Sequence, residues 1–482
     1  MQVFFTKTDL LHEVVDGGSC CQGLETGALG LVDGMPFILD DDGSYDHYLN
    51  RFFRTLPTRN APSPNTWQAY AQDIVLWMRF LRIRGKTIWE ADNEDLAAFW
   101  IVRRISPTGR TRIVTKSTWS RWVSALDKFY SWALTEKLIS AIPFTYESAS
   151  RMDFSTGESQ EYARNQAHER GAKRGLVKYL SLAQYLFFRD VGLRGRLPDG
   201  RLDRRFRGRN GTRNATYAEL LTNTGLRNGE GSHLLCCELP AVGDTEDASL
   251  AFQLPGVIAK GGNGREILLP IRVVRLTQEY IEIEREVSLA RAFDKSGIGE
   301  YTGIEKPVYV SRMKGRRAYH WRDDGSSRTF QQLSRNLRRR VVEYEPDHAP
   351  QPGLIWLTEQ GRPMQQYNWN RIFQSATRRC RQFAEWNTLV NVTPHTLRHT
   401  FAVNMLAALT RAFYGRFSPD LLRDDLIRAE KEITANPLLK LKQLLGHKHL
   451  ATTMIYLEYM DEAREIVETA SSEWAARTAP GW

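Results

Sequence analysis

Thr393-Pro-His-Thr-Leu-Arg-His-Thr-Phe401 opens the stretch on which the reading of this chain turns, and Leu445-Gly-His447 followed by Tyr456 closes it. Thr393 can cap a helix and Pro394 suits its first turn, since a proline there gives up an N–H that would be orphaned anyway. His395 and Arg398 then lie three apart on one face of that turn. A helix N-terminus already presents backbone N–H groups and partial positive charge, so two cationic side chains there strengthen an anion site. Leu438 to Leu445 reads as a helix stopped by Gly446, which delivers His447 at the turn. The next helix carries Tyr456, beside Met454, Ile455 and Leu457. A phosphate-binding cluster with a tyrosine at hand points to attack on a phosphodiester.

Working outward, 482 residues predict two or three domains rather than one core. A 42% hydrophobic and 25% charged composition describes a soluble globular chain. The sequence has no run of 18 apolar residues, so no membrane span is expected. Met1-Gln-Val-Phe-Phe-Thr-Lys7 lacks the basic-then-apolar plan of a signal peptide. Cys20, Cys21, Cys236, Cys237 and Cys380 form no CxxC and fit no zinc spacing, which predicts reduced thiols in a cytoplasmic protein. The net charge of +10 is uneven: residues 164–213 hold fourteen Lys/Arg against four Asp/Glu, and residues 312–340 hold ten against two. Two such blocks near a candidate phosphate site point to a polyanion partner.

In chain order, residues 1–55 read as an N-terminal extension, a loosely packed arm or small cap. Residues 56–147 read as a helical domain. Trp67, Tyr70, Ala71, Ile74, Trp77, Met78 and Leu81 form one apolar stripe, and Trp119, Trp122, Val123, Leu126, Phe129, Tyr130 and Ala133 form another. The basic residues Arg104, Arg110, Arg112, Lys116 and Arg121 sit at its turns, where they can face a DNA backbone. Residues 148–176 lack periodicity and read as a linker. The Gly/Arg-rich segment 192–213, with Arg204, Arg205, Arg207 and Arg209, reads as a flexible loop or one ordered on a partner. A helix is expected to end at Gly225, with Arg227 and Glu230 on one face of the next turn. Taken alone, that pair is an ordinary surface ion pair. Val257 to Pro270 reads as a β-hairpin turning at Asn263-Gly264, with Lys260 at its mouth. Segments near 290–352 and 410–437 read as insertions, and 461–482 as an acidic tail.

Together these motifs resemble the tyrosine recombinase (phage integrase) family. The helical segment is similar to the family's core-binding domain by helix pattern alone. Residues 177–460 resemble its catalytic domain through Thr224-Gly-Leu-Arg227-x-x-Glu230, Lys260, His395-x-x-Arg398, Leu445-Gly-His447 and Tyr456. The resemblance implies a mainly α fold with a small β-sheet (α+β), and a site-specific enzyme that cleaves and rejoins double-stranded DNA through a 3′-phosphotyrosine. Under it, Arg227 and Arg398 clamp the non-bridging oxygens, His395 orients or accepts protons near the nucleophile, and His447 donates to a phosphate oxygen. Lys260 protonates the departing 5′-oxygen, Glu230 supports the arginine, and Tyr456 attacks phosphorus. A phenol of pKa near 10 is only ~0.1% ionised at neutral pH, so surrounding cations must favour the phenolate. The cations also supply the charge that a metal gives in nucleases, so no cofactor is implied.

His399 and His449 lie close by, but acidic or cysteine partners at ligand spacing are lacking, so no metal is expected. Tyr459, one turn on, is the competing nucleophile. The resemblance further implies a homo-oligomer, a tetramer of like or related subunits on two DNA sites, with the tail docked on a neighbour or on its own domain, and a nucleoid-associated location. A catalytically inactive DNA-binding protein of the same fold, or a type IB topoisomerase or telomere resolvase, fits the same residues. Gly229 and Gly231 flank Glu230 where the family has better helix formers, which predicts a looser Arg227 turn. The segments between Lys260 and His395 and between Arg398 and His447 are longer than in compact members.

Overall fold

The computed structural model describes residues 1–6, 32, 34–59, 61, 63–105, 113–152, 159–169, 177–243, 248–294, 301, 303–313, 317–345, 348–414 and 436–457. The chain divides into two compact units, Met1–Gly175 and Leu176–Trp482. Both carry helices, and the described sheets are small: two-stranded ribbons and one five-stranded sheet. The fold is α+β. No helix among the described residues is long and apolar enough to cross a membrane. The expected acidic tail, Tyr459 and most of the 410–437 insertion lie outside the described residues, as do Arg110 and Arg112.

In the first unit, β1 (Gln2–Phe5) pairs antiparallel with β2 (Pro36–Leu39). Helices α1 (His47–Thr55), α2 (Pro64–Ile83), α3 (Asn93–Trp100) and α4 (Lys116–Thr135) follow. Each start has a local cause. Asp46 accepts from the Leu49 N–H, Pro64 sits in the first turn of α2, and Asp92 and Asp95 cap one another's backbone N–H at 2.9 and 3.1 Å. Thr115 caps α4, its Oγ1 accepting from the Thr118 N–H at 3.2 Å. The aromatic stripes form the core, with Phe99 against Trp77, Trp119 and Trp122 at centroid distances of 5.1, 5.9 and 5.4 Å.

Residues 1–55 are not a loose arm where they are described. Leu49, Phe52, Phe53 and Leu56 recur at helical spacing and are buried in this core, and Asn50 joins α1 to β2 through both the N–H and the C=O of Ile38. Each such apolar side chain contributes roughly 1.5–3 kcal/mol on burial, which outweighs the glycine-rich character of the segment before it. The expected linker also holds structure, a hairpin of β3 (Tyr146–Met152) and β4 (Ser159–Asn165). Its alternation of small and polar residues hides the period-two signal.

In the second unit, α5 (Leu182–Phe187) leads to α6 (Gly211–Thr224), which lies in the main core. The intervening basic segment is ordered around Phe206. Gly195 and Gly208 leave room for its ring, and the Arg379 guanidinium lies 5.1 Å from the ring centre and pairs with Asp203. After α6 come the turn α7 (Asn228–Gly231), the hairpin of β5 (Ser249–Leu254) and β6 (Arg265–Pro270), and helices α8 (Ile271–Tyr280) and α9 (Glu286–Asp294).

The region expected as an insertion builds β7 (Val308–Arg312), β8 (Ala318–Trp321), β9 (Ser327–Thr329), the short helix α10 (Arg335–Arg338), β10 (Val341–Glu345) and β11 (His348–Pro352). They form one sheet of order β11-β10-β7-β8-β9, parallel only between β10 and β7, with its own apolar core. Much of the second basic block is committed to this scaffold. Arg338 is wholly buried on Glu238, Arg312 pairs with Glu343, and Arg328 lies over Trp321. Helices α11 (Gln366–Cys380), α12 (Pro394–Tyr414), α13 (Pro437–Leu445) and α14 (Ala451–Met454) complete the unit.

Candidate active site

Two glycine-capped helix ends frame the site. Helix α6 stops at Gly225 (φ 63°) and α13 at Gly446 (φ 62°), both left-handed. A Cβ at Gly225 would lie 2.4 Å from Phe401, and one at Gly446 would lie 2.9 Å from Arg265, so each cap demands glycine for conformation and for space. The carbonyls exposed at these ends converge on Arg398. Its guanidinium donates to Gly225 O, to Leu445 O at 2.6 Å and to His447 Nε2 at 3.3 Å. Helix C-termini carry partial negative charge and so stabilise a cation. Arg398 is only 2% exposed, and burial together with the Arg227 charge pushes its pKa down to about 9, which leaves it charged at neutral pH.

Helix α12 begins as the sequence indicates, with Thr393 Oγ1 accepting from the Thr396 N–H at 3.2 Å and Pro394 in the first turn. One helical face thus presents His395, Arg398 and His399. The His395 and His399 rings meet edge-on at 4.2 Å. Lost hydration, then Arg398, Arg227 and Lys260, hold the His395 imidazole below its ordinary range.

Arg227 stands at the N-cap of α7, with its N–H on Glu230 Oε2 at 2.9 Å and its Nη1 on Oε1 at 3.0 Å. Its Nη2 reaches Gly446 O at 3.4 Å. The turn is not loose. Tyr217 Oη donates to Asn228, Trp356 Nε1 donates to Gly231 O, and a side chain at Gly229 would strike Arg335. The flanking glycines are there for close approach. Glu230 is wholly buried between Arg227 and Arg265, which donates to its two oxygens at 3.2 and 2.7 Å and to Leu444 O at 3.0 Å. Burial alone would raise this carboxyl, but the Arg265 bonds and charge, then Arg227, hold it at about 2.

The hairpin differs from its expected register. Pro255 ends β5, and the connection 255–264 is two 3-10 turns, Gly256–Ile258 and Lys260–Gly262, rather than a two-residue turn at Asn263-Gly264. A Cβ at Gly256 would lie 2.6 Å from Gly262 O, so this loop folds on itself. Lys260 is exposed on it.

Tyr456 follows α14 and is 2% exposed, packed among Phe401, Ala402, Leu441 and Leu445. Its hydroxyl lies 2.9 Å from His399 Nδ1, and its ring stacks on His447 at 6.5 Å. Burial raises the phenol above its usual pKa, against the lowering effect of Arg398 and Arg227. His447 Nδ1 lies 2.9 Å from Thr453 Oγ1. A guanidinium can only donate, so His447 Nε2 accepts from Arg398 and the ring proton sits on Nδ1. Burial, then Arg398 and Arg227, push His447 down to about 3, and burial, then His395, push His399 down to about 4.

The structure therefore brings Arg227, Glu230, His395, Arg398, His447 and Tyr456 into one network, with Lys260 on the adjoining loop. Sequence reading missed Arg265 and the direct bond of His399 to the phenol. Both left signals. Arg265 shares the inward face of β6 with Ile267 and Leu269, an unusual place for an unpaired charge. His399 is one turn beyond His395 on the same face. Three guanidiniums surround one carboxylate, so the pocket keeps a surplus of positive charge and can hold an anion.

Of the other basic residues singled out, Arg121 pairs with the buried Asp73 at 2.9 Å and Arg104 with Glu169 at 2.5 Å. Lys116 is exposed in the first turn of α4. Arg204, Arg205 and Arg207 are exposed, whereas Arg209 pairs with Glu359 at 2.7 Å. Cys236, Cys237 and Cys380 are free thiols.

Residues 49–137 match the family described as Phage integrase, N-terminal SAM-like domain. The tyrosine recombinase XerD of Ralstonia nicotianae is 30% identical over 95 residues, which are 20% of this chain and 29% of that protein. The chain thus spans under a third of the length of the curated relative it matches. Among solved structures, the XerH site-specific recombinase in its post-cleavage complex is 15% identical, with a TM-score of 0.46 over 90% of this chain and 86% of that one. The Tn1549 transposon integrase with transposon right end DNA is 14% identical, with a TM-score of 0.45 over 88% and 99%. Through the integrase domain matched at residues 49–137 and the XerD-like segment, the chain is similar to the tyrosine recombinases (phage integrases).

Proposed function

We propose that this chain is a site-specific DNA strand transferase that cuts and rejoins duplex DNA through a covalent bond between phosphorus and Tyr456. The observation that carries the reading is the setting of Tyr456: its hydroxyl bonds His399, and its ring stacks on His447, which in turn accepts from the Arg398 guanidinium. A guanidinium has five N–H donors. Arg398 uses three on Gly225 O, Leu445 O and His447, and Arg227 uses two on Glu230 and Gly446 O, which leaves two and three among the described residues. Those donors take the non-bridging oxygens of the scissile phosphate, with the planar fork matching its geometry.

Tyr456 Oη then attacks phosphorus, its proton passes to His399 Nδ1, and the P–O5′ bond breaks as Lys260 protonates the departing oxygen. Fixed cations stabilise the charge that develops on oxygen. The imidazole of His399 is a poor base while its pKa is near 4. An incoming phosphodiester, being anionic, raises it, so proton transfer is coupled to substrate binding. The phosphotyrosine retains the bond energy until the hydroxyl of a second strand displaces it. Strand exchange needs paired sites, and the reading includes an oligomer of the chain on two duplexes.

The test is incubation with a nicked duplex bearing the recombination site, followed by denaturing electrophoresis. A protein–DNA band that disappears in Tyr456→Phe while DNA affinity is unchanged is expected. Tight, specific binding with no band would replace the enzyme with a DNA-binding protein of the same fold.

A further inference from the structure

The five-stranded sheet between residues 301 and 352 has no part in the reaction above, yet it reaches back to the connection that carries Lys260. Gln331 Oε1 accepts from the Gly256 N–H at 3.0 Å. The Arg335 guanidinium grips Ile258 O with both Nε, at 3.2 Å, and Nη2. Arg317 lies 5.9 Å from the centre of the Phe252 ring, within β5. Ile258 precedes Lys260 by two residues, and Gly261 and Gly262 (φ 78° and 77°) leave the chain beyond the lysine with little steric restriction. The restraint on Lys260 therefore comes from the upstream side.

Arg335 also reaches a second element. Its Nη1 lies 2.8 Å from where a Cβ would stand on Gly229, between Arg227 and Glu230. One half-buried side chain thus touches both the loop of Lys260 and the turn of Arg227. We propose that Arg335 is a positioning residue, through which the inserted sheet holds Lys260 at a fixed distance from the phosphate clamp. The proposal rests on Lys260 being the proton donor to the leaving oxygen.

In that step the P–O5′ bond breaks while the bond from phosphorus to Tyr456 Oη forms, and one proton moves from Lys260 Nζ to O5′. A sulfur in the 5′-bridging position leaves as a thiolate, whose conjugate acid has a pKa of about 8.5, and needs no such proton. Cleavage rates are measured with the full chain on nicked duplexes that differ only in this atom.

Lys260→Ala and Arg335→Ala are expected to slow cleavage of the oxygen substrate ~10²-fold, and both are expected to recover to within a few-fold of wild type on sulfur. Arg335→Lys keeps the charge but not the two-pronged grip. It is expected to lose less and to recover the same way, and it carries the test if Arg335→Ala does not fold. A defect in the Arg335 variants that is as large on sulfur, while Lys260→Ala is rescued, overturns the proposal. Weaker DNA binding with a shallower salt slope would do so too, by making Arg335 a phosphate ligand. Failure of sulfur to rescue Lys260→Ala would instead remove the lysine from the proton-donor role.

Discussion

Glu230 balances much of the charge in the pocket, and its ionisation has a measurable consequence. Its folded pKa, about 2, is below the unfolded value near 4.5. The stability it contributes is therefore complete above pH 4.5 and lost as pH falls toward 2. The histidines act in a higher window. His399 and His447, at about 4 and about 3, stay neutral in the fold, while the unfolded chain takes up protons below 6.5. Their contribution is intact above pH 6.5 and is lost as pH falls through that value toward 4. Thermal unfolding followed from pH 7 to 3 is expected to show the midpoint falling in both windows. His399→Gln should flatten the upper window, and Glu230→Gln the lower. An unchanged upper slope in His399→Gln would mean that this imidazole is not buried beside the phenol.

At this scale the sequence was legible for residue type and order but not for partners. His395 looked like the group nearest the nucleophile, yet it is His399, one turn further along the same face, that bonds Tyr456. Arg265 was hidden because an arginine after Asn263-Gly264 reads as an edge charge, whereas the fold uses it to join Glu230 to the end of α13.

Elements place the site through their ends. Helices α6 and α13 both terminate in left-handed glycine, and the carbonyls around those caps hold Arg398 and Arg227. Gly225→Ala is expected to cost about 1–3 kcal/mol in the second unit, since it adds backbone strain at φ 63° to a collision with Phe401. Cleavage should fall with it, because Gly225 O is a partner of Arg398. Gly446→Ala should behave likewise through Arg265. The check is calorimetry paired with covalent-product yield, and a stable, active Gly225→Ala would refute the role given to this cap. Both stops were readable from sequence, since glycine after an apolar helix has few other uses. The β5–β6 connection was not. Asn263-Gly264 is a strong turn signal, but Pro255 interrupts the strand that would complete a tight hairpin, and the chain fills the gap with two 3-10 turns.

Across the whole molecule, charge divides into spent and available. The surplus in residues 312–340 looked like a polyanion footprint, yet Arg338, Arg312 and Arg335 are used inside the fold. Composition counts charges and cannot see their partners. The 192–213 segment is the better candidate, since Arg204, Arg205 and Arg207 remain exposed on an ordered loop. Neutralising these three is expected to weaken DNA binding and reduce the salt slope by ~0.9 for each phosphate that is no longer neutralised. Replacing Arg209, already paired with Glu359, should matter less. A slope unchanged by the triple variant would assign the loop to solvent.

The most direct measurement maps the covalent adduct. The protein trapped on a nicked site is digested with nuclease and protease, and the residue bearing the nucleotide is located by mass spectrometry. A 3′-nucleotide on Tyr456 is expected. A nucleotide on Tyr459 or any other residue, or DNA-bound protein that never acquires one, would contradict the role given to Tyr456.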